Sequence, residues 1–415
     1  MEKAAIPKPM LSAEQALAQM LAQVLPLGGQ EAVPISEALD RVLAQPLLST
    51  IDVPGYDNAA MDGYALRAAE VKPGQPLLVV GVALAGHAFT DSVPAGSCVR
   101  ITTGAVLPAG LDTVVMQEQV TLSATNQQQS ILCQLQPTTA EHVRRAGEDI
   151  CKGQQVFAIG HKLRPADLGL LASLGFASVN VKRKLNVAIF STGDELLPPG
   201  QPLLPGHIYD SNRYVMAAML QRLGVEVLDL GLLPDNVDAI EQAFIQAMTE
   251  ADVLITSAGV SVGEADFTRQ ILQKLGQINF WQVAIKPGKP FAFGKLNHCW
   301  FFGLPGNPVA AVVTLEQLVQ PVLRKLSGEA ADYTPALLQA ICSVPLKKQP
   351  GRMDYQRGWY WQGEDGLNVK TLGSQSSGML SSIAHANCYI VLERDSGSVP
   401  AGEQVFILPF SSMLR

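Results

Sequence analysis

The sequence predicts a multidomain chain of mixed α/β and β architecture. A central α/β unit on a parallel sheet is flanked by a β domain, a discontinuous mixed domain and a C-terminal β-barrel. Three observations carry this. Strand-like and helix-like segments alternate through 184–328, the mark of a parallel sheet covered on both faces. The stretches 51–140 and 333–415 hold short β-branched runs separated by Pro-Gly turn signals, the mark of compact β domains. And 415 residues with 47% hydrophobic and only 16% charged content are enough for several buried cores and too apolar for disorder.

The elements follow in chain order. Residues 11–25 place Leu11, Ala16, Leu17, Met20, Leu21 and Val24 at helical spacing, and Ser12 with Gln15 reads as a capping box. A short helix is expected over 35–43. The β domain, 51–140, carries runs at 77–82, 98–102 and 113–116, punctuated by Pro73-Gly74, Pro94-Ala95-Gly96 and Pro108-Ala109-Gly110. Mixed structure returns at 141–183, which is assigned to one discontinuous domain with 1–50. In the α/β unit, strands are expected at 186–190, 226–230, 253–255 and 299–302, and helices at 211–223, 235–250, 266–275 and 308–326. Gly224 and Gly276 stand as stops, and Asp235 and Asp266 as N-caps. Strands near 337–344, 355–361, 367–371, 388–393 and 404–408 complete the C-terminal barrel.

Composition narrows the function. The formal charge is −7, and no basic run exceeds Lys182-Arg183-Lys184, which argues against a nucleic-acid partner. Six scattered cysteines without a C-x-x-C pair point to a reduced, cytoplasmic protein lacking a cysteine metal site. Neither a signal peptide nor a membrane span is expected. The P-loop signature and the G-x-G-x-x-G fingerprint are both missing, so nucleotide hydrolysis and dinucleotide redox chemistry lose ground.

Three loops of small residues follow apolar strands: 191–195, 257–266 and 303–308. Thr192, Gly193, Ser257, Gly259, Ser261, Gly263, Pro305, Gly306 and Asn307 let backbone approach a ligand closely and suit a phosphate. In open α/β sheets, ligands sit beyond the carboxyl ends of the strands. Asp194, Glu195, Asp210, Asp235 and Asp266 accompany these loops. Each reads equally as a helix cap or as an oxygen ligand for Mg²⁺. Ser211 and Asn212 open the helix after Asp210. Lys286-Pro287-Gly288-Lys289-Pro290 holds two charges on a constrained turn suited to a tetrahedral oxyanion. Arg357 is a candidate third cation. In the β domain, Asp62-Gly63 and Thr103-Gly104 read locally as turns.

Together the segments 58–65, 100–108, 191–196, 209–212, 257–266, 286–291, 304–308 and 353–358 resemble, in that order, the molybdopterin molybdenumtransferases. These are MoeA-type enzymes of molybdenum cofactor synthesis, related to the E domain of gephyrin. The resemblance implies an elongated discontinuous domain and a molybdopterin-binding α/β domain. It also implies a homodimer whose cleft lies between the α/β domain of one subunit and the β domain of the other. The implied substrates are adenylylated molybdopterin and molybdate, the implied products molybdenum cofactor and AMP, with Mg²⁺ assisting. It marks Asp62, Glu195, Asp235 and Asp266 as the catalytic acids, Asp194 with them as metal ligands, and Thr103 as a residue orienting substrate. Transient contact with other cofactor-synthesis proteins is implied too. One departure stands out: Gln282 follows Trp281 where a lysine is expected in some relatives, which would shift oxyanion binding onto Lys286 and Arg357. Competing readings are molybdopterin adenylylation, a peptide-binding scaffold and an α/β oxidoreductase.

Overall fold

The computed structural model describes residues 10–125, 128–257, 274–330 and 335–415. Helix Ala13–Gln23 starts at the expected capping box, with Gln15 N donating to Ser12 Oγ at 3.1 Å and Ser12 N to Gln15 Oε1 at 2.9 Å. Its buried Ala16 and Met20 join the core of the α/β unit, beside Leu323 and Leu326. The expected helix over 35–43 is only a 3₁₀ turn, Ile35–Glu37. Strand Gln30–Pro34 pairs antiparallel with Ser178–Lys182, and Val33, Leu43, Ile150, Leu171 and Val181 share one core. Chain segments more than a hundred residues apart thus build a single layer.

Six strands form the β domain's sheet, in the spatial order Thr113–Met116, Gly63–Leu66, Ser97–Ile101, Pro76–Ala83, Gln128–Cys133 and Val120–Thr125. The Asp62-Gly63 turn expected from the sequence does not form. Gly63 begins a strand, and a Cβ on it would meet Val115 O at 2.0 Å. Only glycine permits that approach.

In the α/β unit the sheet order is Glu226–Leu233, Asn186–Thr192, Val253–Ser257, Cys299–Leu304, Pro290–Leu296, Gln277–Gln282. The first four strands are parallel, as expected. The last two are an antiparallel extension that the alternating pattern did not reveal. Val187, Ile189, Ile255 and Phe302 face one core, Ala188, Phe190, Leu254 and Phe301 the other. Burial on both faces explains why these strands read as continuous apolar runs. Helices Asn212–Leu223 and Val237–Glu250 appear where predicted, the first closed by Gly224 at φ 90°. The second is capped by Asn236, not by Asp235. Of the helix expected over 266–275, all but the last two residues lie outside the described residues.

The last helix is divided into Pro308–Thr314, a π turn Leu315–Val319 and Gln320–Leu326. Pro321 has no amide to return into the ladder, a local reason for the irregularity. The π turn buries Glu316 at 3% exposure. Its Oε1 accepts from Ser411 N at 3.1 Å, while Oε2 has no partner among the described residues. Burial therefore pushes the carboxyl up from its ordinary 4.5. An acid with a raised folded pKa keeps its proton longer when native than when unfolded. Stability must then fall as pH climbs past 4.5 and until the folded group ionises. Glu316→Gln keeps an acceptor for Ser411 and should flatten that slope. Thermal unfolding across a pH series checks it, and parallel curves for the two proteins would refute it.

The C-terminal strands Leu338–Cys342, Met353–Gly363, Gly366–Thr371, Cys388–Leu392 and Gln404–Pro409 close into a five-stranded barrel, sealed where Met353–Gly363 meets Cys388–Leu392. A short strand from the α/β unit, Ile285–Lys286, joins it alongside Met353 and Asp354. That pairing fixes the two-lysine turn between the α/β unit and the barrel. Among the described residues, no helix is long and apolar enough to cross a membrane.

Candidate active site

The parallel strands have the order second, first, third, fourth, so the strand order reverses between the neighbouring strands at 186–192 and 253–257. A cleft of about 720 Å³ opens there, where such a sheet is expected to bind ligand. Thr192, Glu195, Asp210, Ser211, Asn212, Ser257, Lys286, Gly288, Lys289, Pro305, Gly306 and Asn307 all line it. Twelve of the residues singled out from sequence therefore converge on one space.

The floor is held by hydroxyls and one acid. Ser191 Oγ lies 3.1 Å from Asp210 Oδ1 and 3.2 Å from Ser257 Oγ, which ties the first and third parallel strands together. Asp210 is 1% exposed, accepts from Arg213 N at 3.3 Å and pairs with Arg213 Nε at 2.9 Å. These bonds make it a structural anchor and helix cap. Asn212 Nδ2 donates to Gly306 O at 2.6 Å, drawing the third loop against the helix start. Its Oδ1 is buried with no partner among the described residues. A buried acceptor of that kind, on a cleft wall, is matched to an N–H or O–H on a ligand.

At the cleft's other wall, Lys286 Nζ pairs with buried Asp354 at 3.1 Å. Lys289 is exposed and has no ion-pair partner among the described residues. Gly288 between them has φ 127°, and a Cβ there would meet Thr314 Cγ2 at 2.7 Å. The turn is thus built for glycine and holds Lys289 outward.

The acids divide. Glu195 lines the cleft, and Gly193 is buried beneath it. Asp194 Oδ1 accepts from Asp235 N at 3.2 Å, joining the loops after the first two strands. Desolvation, then the neighbouring charges of Asp194 and Glu195, push the Asp235 carboxyl up. Three carboxylates crowded with no ion-paired cation among the described residues suit a hard, oxygen-loving ion. Even so, among the described residues no group of three or more His, Cys, Asp or Glu is arranged to hold a metal. Asp266, Gly259, Ser261 and Gly263 lie outside the described residues.

Gly193, Asp194 and Asp235 stand beside the cleft without lining it, and Arg357, Asp62 and Thr103 lie elsewhere. Arg357 is fully buried: its guanidinium donates to Ser382 Oγ at 3.0 Å, Ser376 O at 3.1 Å and Tyr355 O at 3.4 Å. It has no exposed surface, and these three bonds hold it at the barrel junction behind the cleft wall. Among the described residues, the arginine that lines the cleft is Arg352, five residues earlier, with Gln375, Ser376 and Ser377 beside it. Sequence reading passed over Arg352, although Pro350-Gly351 before it marked a turn exposing the next side chain. Gln282 is exposed on the sheet's edge strand and does not line the cleft. Asp62 and Thr103 bind each other: Thr103 N and Oγ1 donate to Asp62 Oδ1 at 2.6 and 2.7 Å. Those bonds, the backbone one foremost, hold the exposed Asp62 carboxyl below the usual range.

Three family models match in succession, described as the MoeA N-terminal region (domain I and II) at residues 11–175, a probable molybdopterin binding domain at 188–325, and the MoeA C-terminal region (domain IV) at 339–410. A molybdopterin molybdenumtransferase of Haemophilus influenzae is 50% identical over 407 residues, covering 98% of this chain and 100% of that protein. The chain belongs to the molybdopterin molybdenumtransferase family. Another member, from Nostoc sp., is 38% identical, covering 91% of this chain and 88% of its own. Among solved structures, the molybdopterin biosynthesis MoeA protein of Pyrococcus horikoshii superposes with a TM-score of 0.81 at 29% identity, over 97% of this chain and 99% of that one. Membership in this transferase family sets aside the oxidoreductase reading, and the full-length match sets aside a protein built on the α/β unit alone.

Proposed function

We propose that this protein inserts molybdenum into adenylylated molybdopterin, consuming molybdate and releasing AMP in the synthesis of molybdenum cofactor. The observation that carries this reading is the convergence of phosphate-suited loops with Lys289 and Arg352 in one cleft. Loops 191–195 and 303–308 offer backbone N–H groups to the pterin phosphate and the adenylate. Asn212 Oδ1 accepts from the pterin. Lys289 and Arg352 hold molybdate as a dianion, the arginine through its planar fork. Glu195 and Asp235, with Asp266, would hold Mg²⁺, and Asp194 positions the Asp235 backbone. Bound there, the ion would neutralise charge developing on the phosphates as the anhydride to AMP breaks.

The Asp62–Thr103 pair is exposed and hydrogen-bonded, and it lies outside the cleft of its own chain. In our reading it completes the cleft of a second copy in a homodimer. The protein works in the cytoplasm, with passing contacts to the proteins that deliver and collect the pterin.

Purified protein given adenylylated molybdopterin and molybdate should release AMP in step with molybdenum bound to pterin. Transfer of AMP from MgATP onto molybdopterin would overturn the reading. Mixing Asp62→Ala with Asp235→Asn subunits tests the shared cleft. Each variant alone should be inactive, and the mixture should recover about a quarter of wild-type activity, since half of the dimers then carry one intact site of two. No recovery on mixing would place both acids' function within one chain.

A further inference from the structure

A second cavity, of about 840 Å³, lies beyond Lys286 and Arg352, which line it and the active-site cleft alike. Among the described residues that line it, four cations, Lys286, Lys347, Lys348 and Arg352, face one carboxylate, Asp354. In a chain with a net charge of −7, that local excess of positive charge is out of character.

Among the described residues the excess is only partly cancelled. Asp354 Oδ2 is already shared between Lys286 Nζ and Gln356 Nε2, each at 3.1 Å. Lys348 is 7% exposed, and its ammonium meets only carbonyls, of Ser396 at 2.8 Å, Arg394 at 3.1 Å and Gln349 at 3.4 Å. Neutral acceptors satisfy its N–H groups but leave its charge in place. Burial lowers its pKa, Lys286 adds to that effect, and Asp354 and Asp395 oppose it. Lys347 and Arg352 have no ion-pair partner among the described residues. Burying uncompensated charge costs stability, so a site that keeps it is matched to an anion from outside.

The backbone that carries these cations is fixed beforehand. Lys348 N donates to Ser398 Oγ at 3.1 Å, and Ser398 Oγ to Lys348 O at 3.3 Å. Gln356 Nε2 holds Lys347 O at 2.9 Å, and Gly351 N holds Arg394 O at 2.8 Å. A loop tied at four points loses little entropy when an anion binds.

We propose that this cavity is a second oxyanion site, which takes up a tetrahedral dianion and hands it past Lys286 and Arg352 into the cleft. That the dianion is molybdate rests on the function proposed above; that the cavity binds an oxyanion does not. A phosphate monoester shares the chemistry, so AMP is the alternative occupant to be distinguished.

Equilibrium dialysis of the full-length protein against molybdate alone, with bound molybdenum counted, tests this. Wild type should bind two equivalents per chain. Lys347→Glu, an exposed position outside the cleft, should keep one equivalent. It should also raise the KM for molybdate several-fold at low ionic strength while leaving kcat at saturating molybdate unchanged. Lys370→Glu, the same charge change on a remote strand of the barrel, should keep both equivalents. A single equivalent in wild type, or two in Lys347→Glu, would overturn the proposal. Displacement of the second equivalent by AMP would assign the cavity to the leaving nucleotide and overturn its role for molybdate. If wild type binds two equivalents yet inserts no molybdenum, the functional reading fails and the anion site stands.

Discussion

Asp235→Asn should lower molybdenum insertion by about a hundredfold or more, the loss typical of removing a group at the reacting centre, without weakening the fold. The two halves of this expectation share a cause. Partial desolvation, with Asp194 and Glu195 nearby, pushes the Asp235 carboxyl up. Its folded pKa therefore exceeds the unfolded value, and ionising it costs stability as pH rises past 3.8. At neutral pH the charge is a liability to the fold, and Asn removes it. Because Asn236 caps the helix, the substitution spares the cap, and the backbone bond from residue 235 to Asp194 persists. The variant's Tm at pH 7 should equal or exceed wild type by about a degree or two. Mg²⁺ should raise the wild-type Tm, as any ligand of the native state does, and do so less in the variant. An active variant with an unchanged Mg²⁺ response would remove Asp235 from the metal site.

Arg357→Ala should instead act through the fold. Arg357 bonds Ser382, Tyr355 O and Ser376 O through its side chain, and its backbone N donates to Gln375 Oε1 at 2.8 Å. The segment 375–377, which lines the cleft, is thus fastened to the barrel strand Met353–Gly363. Truncation leaves a cavity and removes the side-chain bonds to Ser382 Oγ, Tyr355 O and Ser376 O, so the barrel should lose about 3–5 kcal/mol. Insertion activity should fall with it as Ser376 and Ser377 shift. Arg357→Lys should rescue little, since one ammonium cannot reproduce three divergent donors. Chemical denaturation followed by barrel tryptophans, such as Trp359 and Trp361, gives the measurement. A stable but inactive Arg357→Ala protein would show that the side chain acts on substrate directly, against its buried position here.

Much of the architecture was legible locally. Four parallel strands, the capping box at Ser12 and the stop at Gly224 are written in short-range patterns of apolar spacing, small polar caps and glycine. Strands Pro290–Leu296 and Gln277–Gln282 were missed for a physical reason. The first lies against both hydrophobic layers, with Phe291 and Phe293 in one and Ala292 in the other, so it lacks the alternation that marks a strand. The loops at 191–195 and 303–308 were found because small residues after an apolar strand leave few other uses for the sequence.

By itself, then, the sequence determined the strand–loop–helix units and which side chains stand at their ends, because those follow from neighbours a few residues away. Tertiary structure alone decided that Arg352 faces the cleft while Arg357 does not. It also decided that Asp354 pairs with Lys286, while Lys289 has no ion-pair partner among the described residues. Those outcomes depend on how the barrel closes and on the pairing of Ile285–Lys286 with Met353 and Asp354, contacts between segments far apart in the chain. An arginine's inward or outward direction is set by that closure, and no local pattern of residues encodes it.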